Sequence, residues 1–313
     1  MSGPDLTVSV VSYCVAERME PCLRSALAAA PRHRLEVIVV DNASTDASPN
    51  LLSSLAGDLG FQLILNDENL GFAAANNQAL ARASGRYFML LNPDTEVVGD
   101  GLSRLIEAMD ADDALGAVGP QLLDEHGEVT ASCRRLPNLE RSFWHLSYLD
   151  KLFPGLPRLR DYMMTDFDHH SSRDVEQPQG AALLLRQSVI DKVGPLDERF
   201  FLYYEEVDWC ARVAAAGYRL RFFAEAQVRH AAGSSADKVW GRAIHHFFES
   251  MVRYHRKNHG LWAALVVKGM IVVGAVLRMV AWIWLWARGR LSWTERKRRT
   301  RAFFRILWDL PSF

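Results

Sequence analysis

The chain has 313 residues, 49% of them apolar, and a formal net charge of −1. That length suits one large domain with appended elements, and the balance of charge excludes disorder and general nucleic-acid binding. The average conceals a polarised chain: from Arg288 to Arg305 eight Lys/Arg face one acid, Glu295, and six of the nine tryptophans lie at or after Trp262.

In chain order, Leu6 to Ser12 reads as a buried strand, followed by a helix over 19–30. "LEVIVVDNASTD" is a second buried strand ending at Asp41, and "SPNLLSSLAG" a helix. "FQLILN" is a third strand, "GFAAANNQALARAS" a helix capped by Gly85, and "RYFMLL" a fourth strand. Strands alternating with helices predict an α/β fold, a mainly parallel sheet with helices on both faces. Ligands of such sheets sit beyond the carboxyl ends of the strands, where Asp41 and Asp94 both fall. No GxGxxG follows the first strand, which weakens a dinucleotide-binding reading. From Arg134 to Gln179 the chain is proline-interrupted and reads as a long irregular surface excursion, a candidate substrate loop. Cys14, Cys22, Cys133 and Cys210 are scattered without a CxxC pair, which fits a reducing compartment better than a zinc site or disulfide framework. The amino terminus shows no basic stretch before an apolar run, so no signal peptide is expected.

Three motifs carry chemistry. "LLNPDTE" ends an apolar strand with Asn92, Pro93 and Asp94, oxygen donors of the kind a hard divalent cation takes. "YYEEVDWCAR" places Glu205, Glu206 and Asp208 in the first turn of a helix behind an aromatic run; carboxylates beside apolar surface gain proton affinity, which suits a general base. His230, after the strand-like "RLRFFAEAQVRH", is a candidate to complete the metal site begun at Asp94. Capping of a helix by Ser44, Thr45 or Asp46 is as good a reading of "ASTD" as a ligand contact.

In this order "VVDNASTD", "NDENLGFAAANNQ", "LLNPDTE", "QGAALLLRQSVIDKVGPLDERFFLYYEEVDWCAR" and "VRHAAGSS" resemble the family 2 inverting glycosyltransferases of the GT-A fold, and within them the rhamnosyltransferase-like subgroup that builds bacterial surface polysaccharides. The resemblance spans residues 6–235. It implies a nucleotide-sugar cleft lined by Ser12, Asp41, Asn69, Gly71, Asn76, Asn92 and Gly180, with Asp41 on the base or ribose. It implies Asp94 and His230 as ligands of Mg2+ or Mn2+, with Asn92 where the family more often has Asp. Of the acids Glu205, Glu206 and Asp208, Glu206 stands at the expected base, one methylene longer than the usual Asp. The implied donor is a dTDP- or UDP-linked sugar and the acceptor a glycan, free or lipid-linked. A non-catalytic nucleotide-sugar-binding scaffold is the competing reading.

Residues 1–240 are expected to form the catalytic domain and 241–313 a helical, membrane-associating region, separable by truncation before Leu261. From Leu261 to Ala287 only Lys268 and Arg278 are charged. Ten residues apart, they share one helix face, which suits a helix lying in the membrane plane on the cytoplasmic side better than a span. The Trp and Arg residues that follow suit anionic headgroups. A helix packed in an oligomer interface is the alternative.

Overall fold

The computed structural model describes residues 3–147, 157–231 and 240–313. Strands β1 (Leu6–Ser12), β2 (Leu35–Asp41), β3 (Gln62–Leu65) and β4 (Tyr87–Leu91) lie parallel in the order β3-β2-β1-β4. The sheet continues through β10 (Ala182–Arg186), β6 (Leu115–Leu123), β11 (Arg219–His230) and β5 (Thr95–Val97), and β8 (Arg173–Val175) pairs β11. β10 runs antiparallel to β4 and β6, and β5 antiparallel to β11. Every residue of β1, β4 and β6 is buried, as in strands covered on both faces; β4 therefore reads as a continuous apolar run, whereas β1 sets the buried hydroxyls of Thr7 and Ser9 between its aliphatic residues.

Between the strands lie α1 (Ala16–Ala28), α2 (Ser48–Leu59), α3 (Phe72–Leu80), α4 (Gly101–Asp110), α7 (Gln187–Val193) and α8 (Glu205–Ala215). α1 starts earlier than expected because the helix runs through Pro21, forgoing one backbone bond instead of beginning near it. Gly85 is not a helix cap. α3 ends at Leu80, and the Gly85 amide donates to Thr7 Oγ1 at 3.0 Å, so close to β1 that an added Cβ would sit 2.6 Å from the Thr7 nitrogen.

The described residues fall into two compact units. The first comprises Met1–Arg134, Phe167–Phe201 and Glu205–Ser235; the second comprises Arg135–Asp166, Leu202–Tyr204 and Ala236–Phe313. A single boundary at 240 does not describe this division: the part of the irregular segment from Arg135 to Asp166 groups with the C-terminal helices, and the part from Phe167 with the first unit. Nor is that segment structureless. It contains α5 (Leu139–Leu146) and α6 (Pro157–Met163), while β7 (Cys133–Arg134) pairs β9 (Gln177–Pro178) in the first unit.

In the second unit α10 (Leu261–Ala287) packs on α9 (Trp240–His259), α5 and α11 (Trp293–Asp309). Phe303 anchors this core, its ring 5.2 Å from Trp282 and 5.7 Å from Phe248. His255, fully buried on α9, meets Ser142 Oγ at 2.8 Å, and burial with His259 nearby lowers its pKa to about 4. Because α9 and α5 both pack on α10, a cut before Leu261 would uncover their apolar faces, contrary to a separable tail.

Candidate active site

The sheet turns its order around β1, with β2 and β3 on one side and β4 on the other. This is the switch point at which the carboxyl ends of parallel strands open a crevice. Ser12 and Asp41 close β1 and β2 in register, and both are buried. Asp41 Oδ2 accepts the Ser44 amide at 2.9 Å, but Asp41 Oδ1 and Ser12 Oγ meet no hydrogen-bond partner among the described residues. Buried oxygens left so carry a desolvation cost that a ligand donor would relieve.

Asn42, next in sequence, holds the wall of this crevice. Its Nδ2 donates to Asn69 Oδ1 at 2.9 Å and to the Gly71 carbonyl at 3.2 Å; its Oδ1 accepts from Asn66 Nδ2 and the Leu70 amide. Asn69 Oδ1 also takes the Gly71 amide, so Asn69 shapes the loop. Gly71 has φ 87°, and a Cβ there would lie 2.5 Å from the Phe201 carbonyl oxygen, which the Phe72 amide bonds at 2.8 Å. Asn76 requires a correction. Buried at 1% exposure, it takes the Ser9 hydroxyl on its Oδ1 and donates to the Phe72 carbonyl, tying α3 to β1. Asp46 bonds the amides of Ala16 and Ser48, in keeping with the capping reading.

Residues 92–95 form a tight turn: the Asn92 carbonyl accepts the Thr95 amide at 3.2 Å and the buried Thr95 hydroxyl at 2.6 Å. Pro93 at the second position presets that turn. β5 then pairs with the end of β11, placing His230 opposite Thr95, and the Ala231 amide bonds the Asp94 carbonyl at 3.0 Å. The ladder thereby brings His230 Nε2 within 3.3 Å of Asp94 Oδ1, both side chains almost buried. One carboxylate oxygen and one imidazole nitrogen this close can touch a single divalent ion, and the pair is chemically suited to Mn2+ or Mg2+. The remainder of "VRHAAGSS", from residue 232, lies outside the described residues. Beside Asp94 opens a cleft of about 220 Å³ whose lining carries the carboxylates of Glu17, Asp94, Glu96 and Glu125 but only two cations, Arg18 and Arg229.

The acids of α8 part company. Two successive left-handed tyrosines, Tyr203 at φ 66° and Tyr204 at φ 71°, turn the chain into Glu205, a conformation costly for bulky residues and concentrated at functional sites. Glu205 is buried and its Oε2 meets no hydrogen-bond partner among the described residues; burial, then the adjacent Glu206 charge, raise its pKa well above the ordinary glutamate range. Glu206 is half-buried. Burial raises its pKa too, while the amides of Glu206, Val207 and Gly180 and the Gln177 side chain, 3.3 Å away, pull it down. Gly180 lies flat against it: a Cβ would sit 3.1 Å from Glu206 Cγ. Asp208 is corrected from a catalytic candidate to a structural one. At 0% exposure it pairs with Arg212 at 2.9 Å, and Arg212 in turn donates to the carbonyls of Val193, Gly194 and Pro195.

Asn42, Gln177 and Arg18 escaped the sequence reading. Asn42 lay inside a quoted motif, but its partners are 24–29 residues away and unmarked.

The sequence model of a family described as glycosyl transferase family 2 matches residues 7–163. The chain is a family 2 glycosyltransferase. This glycosyltransferase is 29% identical over 270 residues to the N-acetylglucosaminyl-diphospho-decaprenol L-rhamnosyltransferase of Mycobacterium tuberculosis, spanning 82% of this chain and 86% of that one. Its fold is similar to the mannosyltransferase PcManGT from Pyrobaculum calidifontis, solved with GDP-Man and Mn2+, at TM-score 0.55 and 18% identity over 98% of this chain and 88% of that one. It also matches S. aureus TarS 1-349 in complex with UDP, at TM-score 0.53 and 15% identity over 85% and 69% of the two chains. These likenesses establish the GT-A fold.

Proposed function

We propose that this glycosyltransferase moves a sugar, rhamnose or a close relative, with inversion from a dTDP- or UDP-linked donor to a hydroxyl of a lipid-linked glycan, at the cytoplasmic face of the cell membrane. The sugar and acceptor follow the mycobacterial relative, whose name gives L-rhamnose and an N-acetylglucosaminyl-diphospho-lipid. The observation that carries the reading is that Asp94, paired with His230, lines a cleft together with the carboxylates of Glu17, Glu96 and Glu125 and the guanidinium groups of Arg18 and Arg229. Such a lining repels a diphosphate unless a cation stands between them.

Asp94 and His230 would hold that divalent ion, which when bound neutralises negative charge on the diphosphate. The unpaired Ser12 Oγ and Asp41 Oδ1 would bind base or ribose donors, and Asn42 keeps the 66–71 loop beside them. Glu206 takes the proton of the acceptor hydroxyl; the oxygen bonds the anomeric carbon from the face opposite the diphosphate, and the sugar–phosphate bond breaks, releasing the nucleoside diphosphate. Burial raises the proton affinity of both acids, and the amides of Glu206, Val207 and Gly180 with the Gln177 side chain favour the charged form of Glu206.

The test is transfer by the full-length protein, with Mn2+ or Mg2+, from a panel of dTDP- and UDP-sugars to a polyprenyl-diphospho-N-acetylglucosamine. The expected result is metal-dependent product with one donor. Tight donor binding without turnover on any acceptor would favour the scaffold reading.

A further inference from the structure

Nearly all the exposed large apolar side chains among the described residues belong to the second unit. α10 is apolar all round, yet among the described residues it is buried along one side, through Ala263, Val267, Ile271, Ala275 and Trp282. Its two charges belong to that inner side: Lys268 Nζ reaches the Pro311 carbonyl at 3.1 Å, and Arg278 reaches the Leu146 carbonyl at 2.8 Å, with its guanidinium 6.0 Å from the Phe303 ring. Gly274 admits that carbonyl, since a Cβ there would lie 2.6 Å from it. The outer side is left with Trp262, Val266, Val273, Leu277, Val280 and Trp284, exposed at helical spacing with no charge among them. α11 presents a different outer stripe, Trp293, Lys297, Arg301, Phe304 and Trp308, aromatic and basic by turns. Where the helices join, Arg296 is held between the rings of Trp286 and Trp293, at 4.2 and 4.1 Å.

We infer that α10 and α11 form a two-helix surface that lies in one leaflet of an anionic phospholipid bilayer, α10 sunk to its outer apolar stripe and α11 placing its stripe at the headgroups. The inference deepens the reading above, which needs a membrane-borne acceptor, but stands on separate residues. A spanning α10, roughly 40 Å long, would draw the packed α11 and its six Lys/Arg into hydrocarbon. Lying flat, α10 loses only water from its apolar stripe, and Lys297 and Arg301 meet phosphate. A second copy of this chain is the poorer occupant, because self-pairing would set α11's basic stripe against itself.

The experiment is flotation of the full-length protein with phosphatidylcholine vesicles, with and without phosphatidylglycerol. Wild type should bind both and prefer the anionic ones. Val273→Glu with Leu277→Glu should abolish flotation, while Lys297→Gln with Arg301→Gln should lower only the anionic preference, about fivefold for each charge lost. In a Cys14→Ser background, cysteines placed at Lys257 and Arg290 should react with an impermeant maleimide from the same side of sealed vesicles. Labelling from opposite sides would establish a span and overturn the inference. So would unchanged flotation of the glutamate variant, or a dimer that this variant dissociates without any vesicle binding. Donor turnover with a soluble acceptor, followed in parallel, should survive all these substitutions; its absence in wild type would count against the transferase reading and leave the flotation result intact.

Discussion

Glu205 and Glu206 are adjacent in sequence and differ in what surrounds them. Glu206→Gln keeps the shape but cannot take a proton, so turnover should fall roughly 10²- to 10⁴-fold while donor affinity, measured by calorimetry, persists. In the wild type the acid limb of kcat/KM should lie above the ordinary glutamate range, as burial has raised the pKa of Glu206 in the free enzyme. Glu205→Gln should cost far less activity and should stabilise the fold. The native state holds a proton on Glu205 that the unfolded chain releases near the usual glutamate pKa of about 4.3, so stability falls as pH climbs from there to the raised folded value. The variant should lack that decline: its Tm advantage over wild type should be larger at pH 8 than at pH 5. An equal advantage at both would reject a neutral Glu205. "EEVD" showed three acids at one helix start. It could not show that Asp208 points away into a pair with Arg212, since only the fold brings the Val193–Pro195 carbonyls to that guanidinium.

Elements set the distances between these residues. The β5–β11 ladder brings His230 to Asp94, and the close pass of Gly180 fixes where the Glu206 side chain can stand. Gly180→Ala should push Glu206 aside by a few tenths of an ångström, lowering kcat by about tenfold with little change in donor KM. A KM effect without a kcat effect would assign Gly180 to the donor instead. Asn42→Ala should do the reverse. It strips the 66–71 loop of its anchor, costing about 1–3 kcal/mol of stability in urea titrations and raising donor KM with kcat nearly unchanged. The turn 92–95 was legible from Asn-Pro-Asp-Thr itself, because proline and a hydroxyl close a turn locally. The hub at Asn42 was not, because nothing local marks a side chain whose four partners come from another loop.

For the whole molecule, the division into two units predicts two separable losses. Chelation of divalent cations should abolish donor binding in calorimetry while leaving flotation on anionic vesicles unchanged, because Asp94 and His230 belong to the first unit and α10 and α11 to the second. If chelation also released the protein from vesicles, metal would be bridging it to lipid phosphate.

The alternation of strands and helices, the strand ends at Asp41 and Leu91, and the apolar, tryptophan-rich end were all written in local pattern, which hydrophobic period and turn chemistry impose residue by residue. The even sharing of one face by Lys268 and Arg278 was written there too. Which way that face turns was not: it looks inward, toward the Leu146 and Pro311 carbonyls, because burying a charge is tolerable only where acceptors from other segments meet it. The same holds for Asn76, Asp208 and the segment beyond Arg134, polar or irregular in sequence yet committed to packing. Their roles depend on partners far away in the chain, and only the folded arrangement supplies those partners.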